Sequence, residues 1–178
     1  MSVCTLNIHV EDKTPPVTVC DKHTVVALNQ TGEVHLYAET LDDGTFDDCY
    51  LDSFAVKRMD EGLACMFPDT LFRSYARFCC EDVGDTVMVI FRAWDHYGNF
   101  NDCMVEVQVQ DKLPPRIYCP DSVMIECTEY LDSLDFSRFG DPTFTDNCNV
   151  QITERIIDNT NQCNIGLIER VLTATDNG

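Results

Sequence analysis

The sequence has few basic residues for its length. It carries 12 lysines and arginines against 31 aspartates and glutamates, which gives a formal net charge of −19. Binding to nucleic acid or to an anionic membrane surface needs clustered Lys and Arg. The basic residues here are scattered along the chain. The charge balance therefore argues against either partner.

Long apolar runs and catalytic motifs are also lacking. No stretch reaches the roughly 18 consecutive apolar residues that predict a membrane-spanning helix. The sequence has no H-E-x-x-H motif, no G-x-S-x-G elbow and no glycine-rich phosphate loop. The four histidines, His9, His23, His35 and His96, are far apart and not at metal-ligand spacing. We expect this segment not to be an enzyme and not to insert into a membrane.

Cysteine, by contrast, is abundant, with 11 among 178 residues. The absence of a Cys-x-x-Cys pair and of histidine at ligand spacing favours disulfides over zinc. Disulfides persist in oxidising compartments. The cysteine content therefore predicts an exported protein.

One stretch of sequence occurs twice. Residues 4–20 read CTLNIHVEDKTPPVTVC and residues 103–119 read CMVEVQVQDKLPPRIYC, with seven of seventeen positions identical. The same offset relates Cys49 to Cys148, and Cys65 corresponds to Cys163 within one residue. A period near 100 residues is the size of one β-sandwich domain, not of a solenoid repeat.

The repeat predicts three segments. Residues 1–13 are expected to be the last strand of a preceding repeat, residues 14–112 a complete repeat, and residues 113–178 a second repeat that is cut short. The chain would then be an excerpt of a longer protein. The stretch around residues 66–83 has no counterpart in the second repeat and is predicted to be an insertion, in which residues 67–78 (FPDTLFRSYARF) could form a short helix.

The remaining pattern is that of β-strands. Apolar residues alternate with polar ones at Leu6, Ile8 and Val10, and again from Val105 to Val109, as expected of closing strands with one buried face. Residues 86–94 (TVMVIFRAW) are more apolar and predict a central strand, with residues 165–175 as their counterpart. The prolines at 15–16 and 114–115 end each sheet and stiffen the linker, which predicts a rod of nearly fixed shape.

The motifs at these positions resemble those of a known repeat family. Residues 109–120 read VQDKLPPRIYCP, residues 139–148 read FGDPTFTDNC and residues 173–178 read TATDNG. They resemble the hyalin-type, immunoglobulin-like repeats of Bacteroidota cell-surface proteins. The first repeat, with FCCEDVG at 78–84 and LDDGTFDD at 41–48, is more narrowly similar to the SprB-type repeats of giant gliding-motility adhesins.

The resemblance implies an all-β fold of tandem immunoglobulin-like β-sandwich repeats, stapled by disulfides. It also implies export to the outer surface of a bacterium and a structural role in the stalk of an adhesin for gliding motility or surface attachment. Neighbouring repeats of the same chain are the expected partners, with surface polysaccharide or other adhesin components as further candidates. The family supplies no catalytic residue to transfer.

The disulfide pairing is predicted in part. Because their spacing recurs in both repeats, we expect Cys49 to bond Cys65 and Cys148 to bond Cys163. A closed loop of about 15 residues would stabilise the fold by about 3 kcal/mol. The pairing of the other cysteines of the first repeat is left open: Cys20, Cys79, Cys80 and Cys103.

The neighbouring Cys79 and Cys80 allow two interpretations. Successive side chains of a strand point to opposite faces, which favours bonds to two different partners. A strained bond between the two neighbours, acting as a redox switch, is the alternative.

The acidic loop at residues 42–48 is the candidate ligand site. Four carboxylates, those of Asp42, Asp43, Asp47 and Asp48, lie within seven residues and would repel one another unless solvated or neutralised. Carboxylate oxygens are ligands that calcium prefers, so calcium is the one candidate cofactor. The alternative is a solvated loop of Asx turns, which Asp-Gly favours equally.

Two alternatives to an adhesin stalk remain open. The segment could be an accessory β-sandwich module of a large secreted hydrolase, which a neighbouring catalytic region would reveal. It could also present a sugar-binding face, but its aromatic residues show no common spacing, so we expect no glycan binding. The aromatic residues considered are Tyr37, Tyr50, Tyr75, Tyr97 and Trp94.

Overall fold

The computed structural model describes residues 2–60, 65, 68, 70–127 and 136–176. Within these ranges the regular structure consists of β-strands and short 3-10 turns, so the all-β prediction is confirmed. None of the described residues belongs to a helix long and apolar enough to cross a membrane.

The strands lie in both segments of the sequence repeat: residues 14–112, called the first repeat below, and residues 113–178, called the second. Six of them lie between residues 14 and 112, and four lie after residue 112. They are β1 His23–Ala27, β2 Glu33–Tyr37, β3 Leu51–Arg58, β4 Tyr75–Cys79, β5 Thr86–Asp95, β6 Phe100–Gln110, β7 Arg116–Tyr118, β8 Thr143–Thr145, β9 Gln151–Thr160 and β10 Gly166–Thr175.

The first repeat is built around a four-stranded sheet in the order β1-β6-β5-β3. Strand β1 pairs with β6 in parallel, and the other two pairings are antiparallel. Strand β5 is central, as its apolar sequence predicted, and its buried residues alternate with half-exposed ones. Strands β2 and β4 form a second, antiparallel pair.

Side chains from both sheets share one core. Val89 and Phe91 of β5 and Val107 of β6 belong to the same buried cluster as Leu36 of β2 and Phe78 of β4. Phe91, Phe78, Val89 and Val107 are fully buried. Apolar and polar residues therefore alternate along the strands because each strand turns every second side chain toward this core.

The helix predicted for residues 67–78 is wrong for the part that the structure describes. Tyr75–Cys79 is strand β4, in which Ala76 and Phe78 are buried, Tyr75 and Arg77 are partly exposed, and Cys79 is buried as well. Pairing with β2 satisfies the backbone of this segment and overrides its local helical spacing. Part of the predicted insertion is thus a strand of the first repeat. Phe67 and Asp69 lie outside the described residues.

Residues 2–13 belong to no strand, so the strand predicted there is not formed. Leu6, Ile8 and Val10 are 77–91% exposed. Their counterpart β6 is a strand because it lies between β1 and β5. Residues 2–13 have no such neighbours among the described residues, and alternation alone does not form a sheet.

The second repeat has the predicted strand pattern but a different degree of burial. Strand β10 pairs with β9 along its whole length, and β7 pairs with β8. In the described part of the chain, no residue after Asp111 is buried. The buried core therefore lies in the first repeat.

Candidate functional site at the repeat junction

A disulfide joins the two repeats. Cys80, which directly follows β4, is bonded to Cys148, which precedes β9, across a sequence separation of 68 residues. Cys148 also packs against the core cluster of the first repeat. The second repeat is therefore held covalently to the first at a point far along the chain from the linker.

A close backbone contact accompanies this disulfide. Gly32 is buried and has a φ of +73°. A Cβ at this position would lie 2.6 Å from the carbonyl oxygen of Asn147 and 2.7 Å from the Sγ of Cys80. Only glycine accommodates both the backbone conformation and the approach of the second repeat.

The linker itself is tied to the same loop. The side-chain amide of Asn147 donates a hydrogen bond to Oδ1 of Asp111, at 3.1 Å. The same oxygen accepts from the backbone N–H of Leu113, at 3.0 Å. Asp111 is 6% exposed and directly follows β6. The linker therefore begins with a buried carboxylate at the end of the first repeat that is hydrogen-bonded to the second repeat.

Three oxygens at this junction are buried and have no hydrogen-bond partner among the described residues. They are Oδ2 of Asp111, Oδ2 of Asp146 and Oδ1 of Asn147. Buried polar atoms in folded proteins are nearly always hydrogen-bonded or bound to an ion or water. These three oxygens consequently need a partner that the described part of the chain does not provide.

The corresponding region before the first repeat contains a cluster of carboxylates. Oxygens of Asp12, Asp47 and Asp95 all lie within 4.8 Å of one another. Oδ1 of Asp12 accepts from the N–H of Thr14 at 2.9 Å, as Asp111 does from Leu113. The side-chain amide of Asn99 donates to the carbonyl oxygen of Asp12, at 3.3 Å. The repeated linker sequence thus has the same local structure at both junctions.

Asp95 is the most buried member of this cluster, at 2% exposure. Its Oδ1 accepts from the N–H groups of Tyr97 and Asn99, and its Oδ2 from the side-chain amide of Asn99. Burial acts to raise the pKa of Asp95, but the hydrogen bonds from Asn99, Tyr97 and Gly98 outweigh it and hold the pKa below its ordinary value. The carboxylate is therefore charged at neutral pH.

Cys49 is an exposed free thiol at this first junction and is the counterpart of Cys148. A hydrogen bond with Asp12 is the main cause that raises the pKa of Cys49. Desolvation and the charges of Asp12, Asp47 and Asp48 add to the shift. The surroundings, and Asp12 above all, therefore disfavour the thiolate form of Cys49.

The predicted bonds Cys49–Cys65 and Cys148–Cys163 are wrong. Cys65 is bonded to Cys79, and Cys148 is bonded to Cys80. The recurring spacing was misleading because the two observed bonds use Cys79 and Cys80 of the 66–83 stretch, which the second repeat lacks. Cys49 and Cys163 are free and exposed, as are Cys4, Cys119 and Cys127.

The pairing that the sequence left open is now assigned. Cys20 is bonded to Cys103 on β6, across a sequence separation of 83 residues. The neighbouring Cys79 and Cys80 bond to different partners, Cys65 and Cys148. The expectation of two partners is confirmed, and no bond joins the two neighbours.

The acidic loop is only partly involved in a cluster. Oδ1 of Asp42 accepts from the N–H of Thr45, and Oδ1 of Asp47 accepts from those of Cys49 and Tyr50. Among the described residues, Asp47 alone of the four predicted ligands belongs to a group of three, while Asp42, Asp43 and Asp48 do not. Its companions Asp12 and Asp95 were missed, although Asp12 lies in the repeated D-K-x-P-P motif.

A buried ion pair, which the sequence did not reveal, lies inside the first repeat. Arg58 is fully buried and donates to both oxygens of Asp82, at 2.7 and 2.8 Å, and to both oxygens of Asp60, at 2.6 and 2.8 Å. Burial acts to lower the pKa of Arg58, but Asp82 and Asp60 outweigh it and raise the pKa. Cys65, Cys79 and Asp82 form a second possible ligand group, but the sulfurs are bonded to each other and the carboxylate is paired.

Aromatic side chains pack against one another at several places in the first repeat. Tyr75 stacks on His35 at 4.3 Å between ring centroids and lies 5.7 Å from Tyr37. Trp94 contacts Phe72 and Phe100 instead. Two of the five aromatic residues considered for a sugar-binding face are therefore neighbours.

The four histidines are all exposed.

Comparison of the chain with family models, with curated proteins and with solved structures gives no match. The role of the junction therefore has to be inferred from its own geometry.

Proposed function

We propose that this chain is part of the non-catalytic stalk of a large adhesin on the outer surface of a bacterium, used in surface attachment or gliding motility. In this proposal immunoglobulin-like β-sandwich repeats are joined end to end and hold a binding tip away from the cell. The observation that carries the proposal is the Cys80–Cys148 bond. A bond across the linker between two repeats is what a load-bearing rod requires, and a flexible tether has no use for it.

The linker supports the same conclusion. It runs from buried Asp111 directly into Leu113 and the two prolines at 114 and 115. Proline restricts the backbone, and Asp111, at the end of the first repeat, accepts hydrogen bonds from Leu113 and Asn147 of the second. With the disulfide as a second connection, one repeat cannot rotate freely about the other.

The path of tension through the first repeat is a second support. Strands β1 and β6 lie near the two ends of the repeat and pair in parallel, so a pull on the ends loads their hydrogen bonds in shear. Cys20, three residues before β1, is covalently bonded to Cys103 of β6. Force entering at residue 20 would pass to residue 103 and bypass the 83-residue separation between them.

Disulfides and charge suit an exported stalk. Three disulfides persist only under oxidising conditions. A net charge of −19 keeps parallel stalks from associating, because like charges repel. The alternative, an accessory module of a secreted hydrolase, would use the same junction and would differ by a catalytic region in the same gene product.

Single-molecule pulling on the 178-residue chain, attached at its two ends, tests the load path. In the variant Cys80→Ser, Cys148→Ser, which leaves Cys20–Cys103 as the disulfide on the load path, the residues between Cys20 and Cys103 should not extend under oxidising conditions when the repeat unfolds. With a reducing agent, the same event should release about 290 Å more, at about 3.5 Å per residue for the 83-residue separation. Equal extension in both conditions would contradict a covalent load path and the stalk that depends on it.

A further inference from the structure

The carboxylates before the first repeat come from three different parts of the chain. Asp12 lies in the linker, Asp47 in the loop before β3, and Asp95 at the end of β5. Their oxygens nevertheless lie within 4.8 Å of one another. None of the ion pairs found among the described residues includes any of the three. Three negative charges at this distance repel one another unless they are solvated or a cation neutralises them.

An independent observation comes from the next junction. The 99-residue offset of the repeat relates Asp12 to Asp111, Asp47 to Asp146, and Asp48 to Asn147. Asp111 is only 6% exposed, and its Oδ2 has no hydrogen-bond partner among the described residues. Oδ2 of Asp146 and Oδ1 of Asn147 are buried without partners as well. Two of the three positions with unpartnered oxygens at the second junction, Asp111 and Asp146, therefore correspond to cluster members at the first, and Asn147 is the neighbour of Asp146.

Contacts at the second junction hold these oxygens near the linker. The amide of Asn147 donates to Oδ1 of Asp111, which leaves Oδ1 of Asn147 and Oδ2 of Asp111 available for a ligand. The ligand has to be a hydrogen-bond donor or a cation, because every available atom is an oxygen. A set of oxygens alone, mostly carboxylate, matches the preference of calcium.

We propose that each junction binds a calcium ion, held by Asp12, Asp47 and Asp95 before the first repeat and by Asp111, Asp146 and Asn147 before the second. Each ion joins a linker residue to loop residues of the repeat that follows. It neutralises the repulsion at the first junction and satisfies the buried oxygens at the second. The inference does not depend on the stalk function, because a chain could bind calcium here without forming a rod.

Isothermal titration of calcium into the 178-residue chain, after EDTA treatment and dialysis, tests the proposal. We expect two ions per chain, with dissociation constants of about 10⁻⁴ to 10⁻³ M, as in extracellular modules. Asp12→Asn should weaken one site at least tenfold, and Asp146→Asn should weaken the other. In the double variant no saturable binding should remain at millimolar calcium.

Matched controls remove the same charge outside the clusters. Asp43→Asn lies in the same acidic loop as Asp47, and Asp141→Asn lies near Asp146, with both side chains exposed. These two variants should bind two ions with wild-type affinity. Absence of saturable binding to the wild type, or an equal loss in the controls and the junction variants, overturns the proposal.

The remaining outcomes are also decisive. One ion per chain that responds to only one of the junction variants overturns the assignment at the other junction. Far-ultraviolet circular dichroism in EDTA checks that each variant is folded. If a variant does not fold, the stoichiometry of the wild type decides, since the proposal requires two ions.

Discussion

The body of the first repeat and the junction that follows it are held together by different means. The body has a fully buried apolar core shared by two sheets, two internal disulfides and the buried pair of Arg58 and Asp82. The junction has one disulfide, one glycine contact, a few hydrogen bonds and three unpartnered oxygens. Folding of a repeat and orientation between repeats therefore depend on largely different residues; the exceptions are Cys80 and Cys148, which also pack against the core of the first repeat.

Replacing Arg58 by methionine should have the largest effect on the body. Asp82, which is 3% exposed, would be left as a buried charge without its main partner. Breaking one side of a buried ion pair destabilises by about 3–5 kcal/mol. Urea unfolding of the first repeat should show this loss. The double variant Arg58→Met, Asp82→Leu should recover most of it, and an equally unstable double variant would contradict the assigned role.

Removing the Cys20–Cys103 bond should have the next largest effect. The bond closes a sequence separation of 83 residues, and native disulfides of this kind stabilise by about 2–5 kcal/mol. Cys20→Ser with Cys103→Ser should lower the urea midpoint of the body, while the shape of the junction stays the same. A change in inter-repeat shape without loss of stability would contradict the separation of body and junction.

The sequence predicts the strands of the body better than it predicts the disulfides. Alternation predicted β5 and β6 because both strands bury every second side chain in a core of their own repeat. It failed for β4, whose apolar residues are spaced as in a helix, because pairing with β2 decides its conformation. Disulfide partners also depend on long-range contacts. No local pattern indicated that Cys80 would meet Cys148.

The candidate site could be predicted only in part. Asp47 was named from the density of carboxylates in its loop, and Asp12 could have been found from its place in the repeated linker. Asp95 lies at the end of a strand in a sequence typical of a hairpin turn, so nothing local marks it as a member of the cluster. Burial of Arg58 was equally invisible, because a lone arginine near a strand end is usually solvated.

Gly32→Ala should have an intermediate effect that is specific to the junction. The added Cβ would meet the carbonyl oxygen of Asn147 at 2.6 Å and Cys80 Sγ at 2.7 Å, so the repeats must separate. The positive φ adds strain of about 1–3 kcal/mol. Gly44→Ala is the matched control, since its φ is +101° and nothing lies within 4 Å of an added Cβ. Small-angle scattering should change for Gly32→Ala and not for Gly44→Ala.

Asp102→Asn should have the smallest effect. Asp102 pairs with Arg92 at 2.7 Å on the half-exposed face of the β5–β6 pair. Such surface pairs contribute about 0–1 kcal/mol, and Arg92 keeps its contacts with the Phe72 and Phe100 rings, both at 3.9 Å. The urea midpoint of unfolding should therefore shift by less than it does for either of the two variants of the body described above. A loss of stability as large as that of Arg58→Met would show that the burial of an ion pair does not determine how much it stabilises the fold.

The claim that the Cys80–Cys148 bond fixes the orientation of the repeats is tested most directly by small-angle X-ray scattering. The wild-type chain and the variant Cys80→Ser, Cys148→Ser should be compared under oxidising conditions, with circular dichroism confirming equal strand content. The wild type should give one narrow distribution of extended shapes, and the variant a broader distribution. Identical distributions for the two proteins, or a broad distribution for the wild type, would contradict the claim.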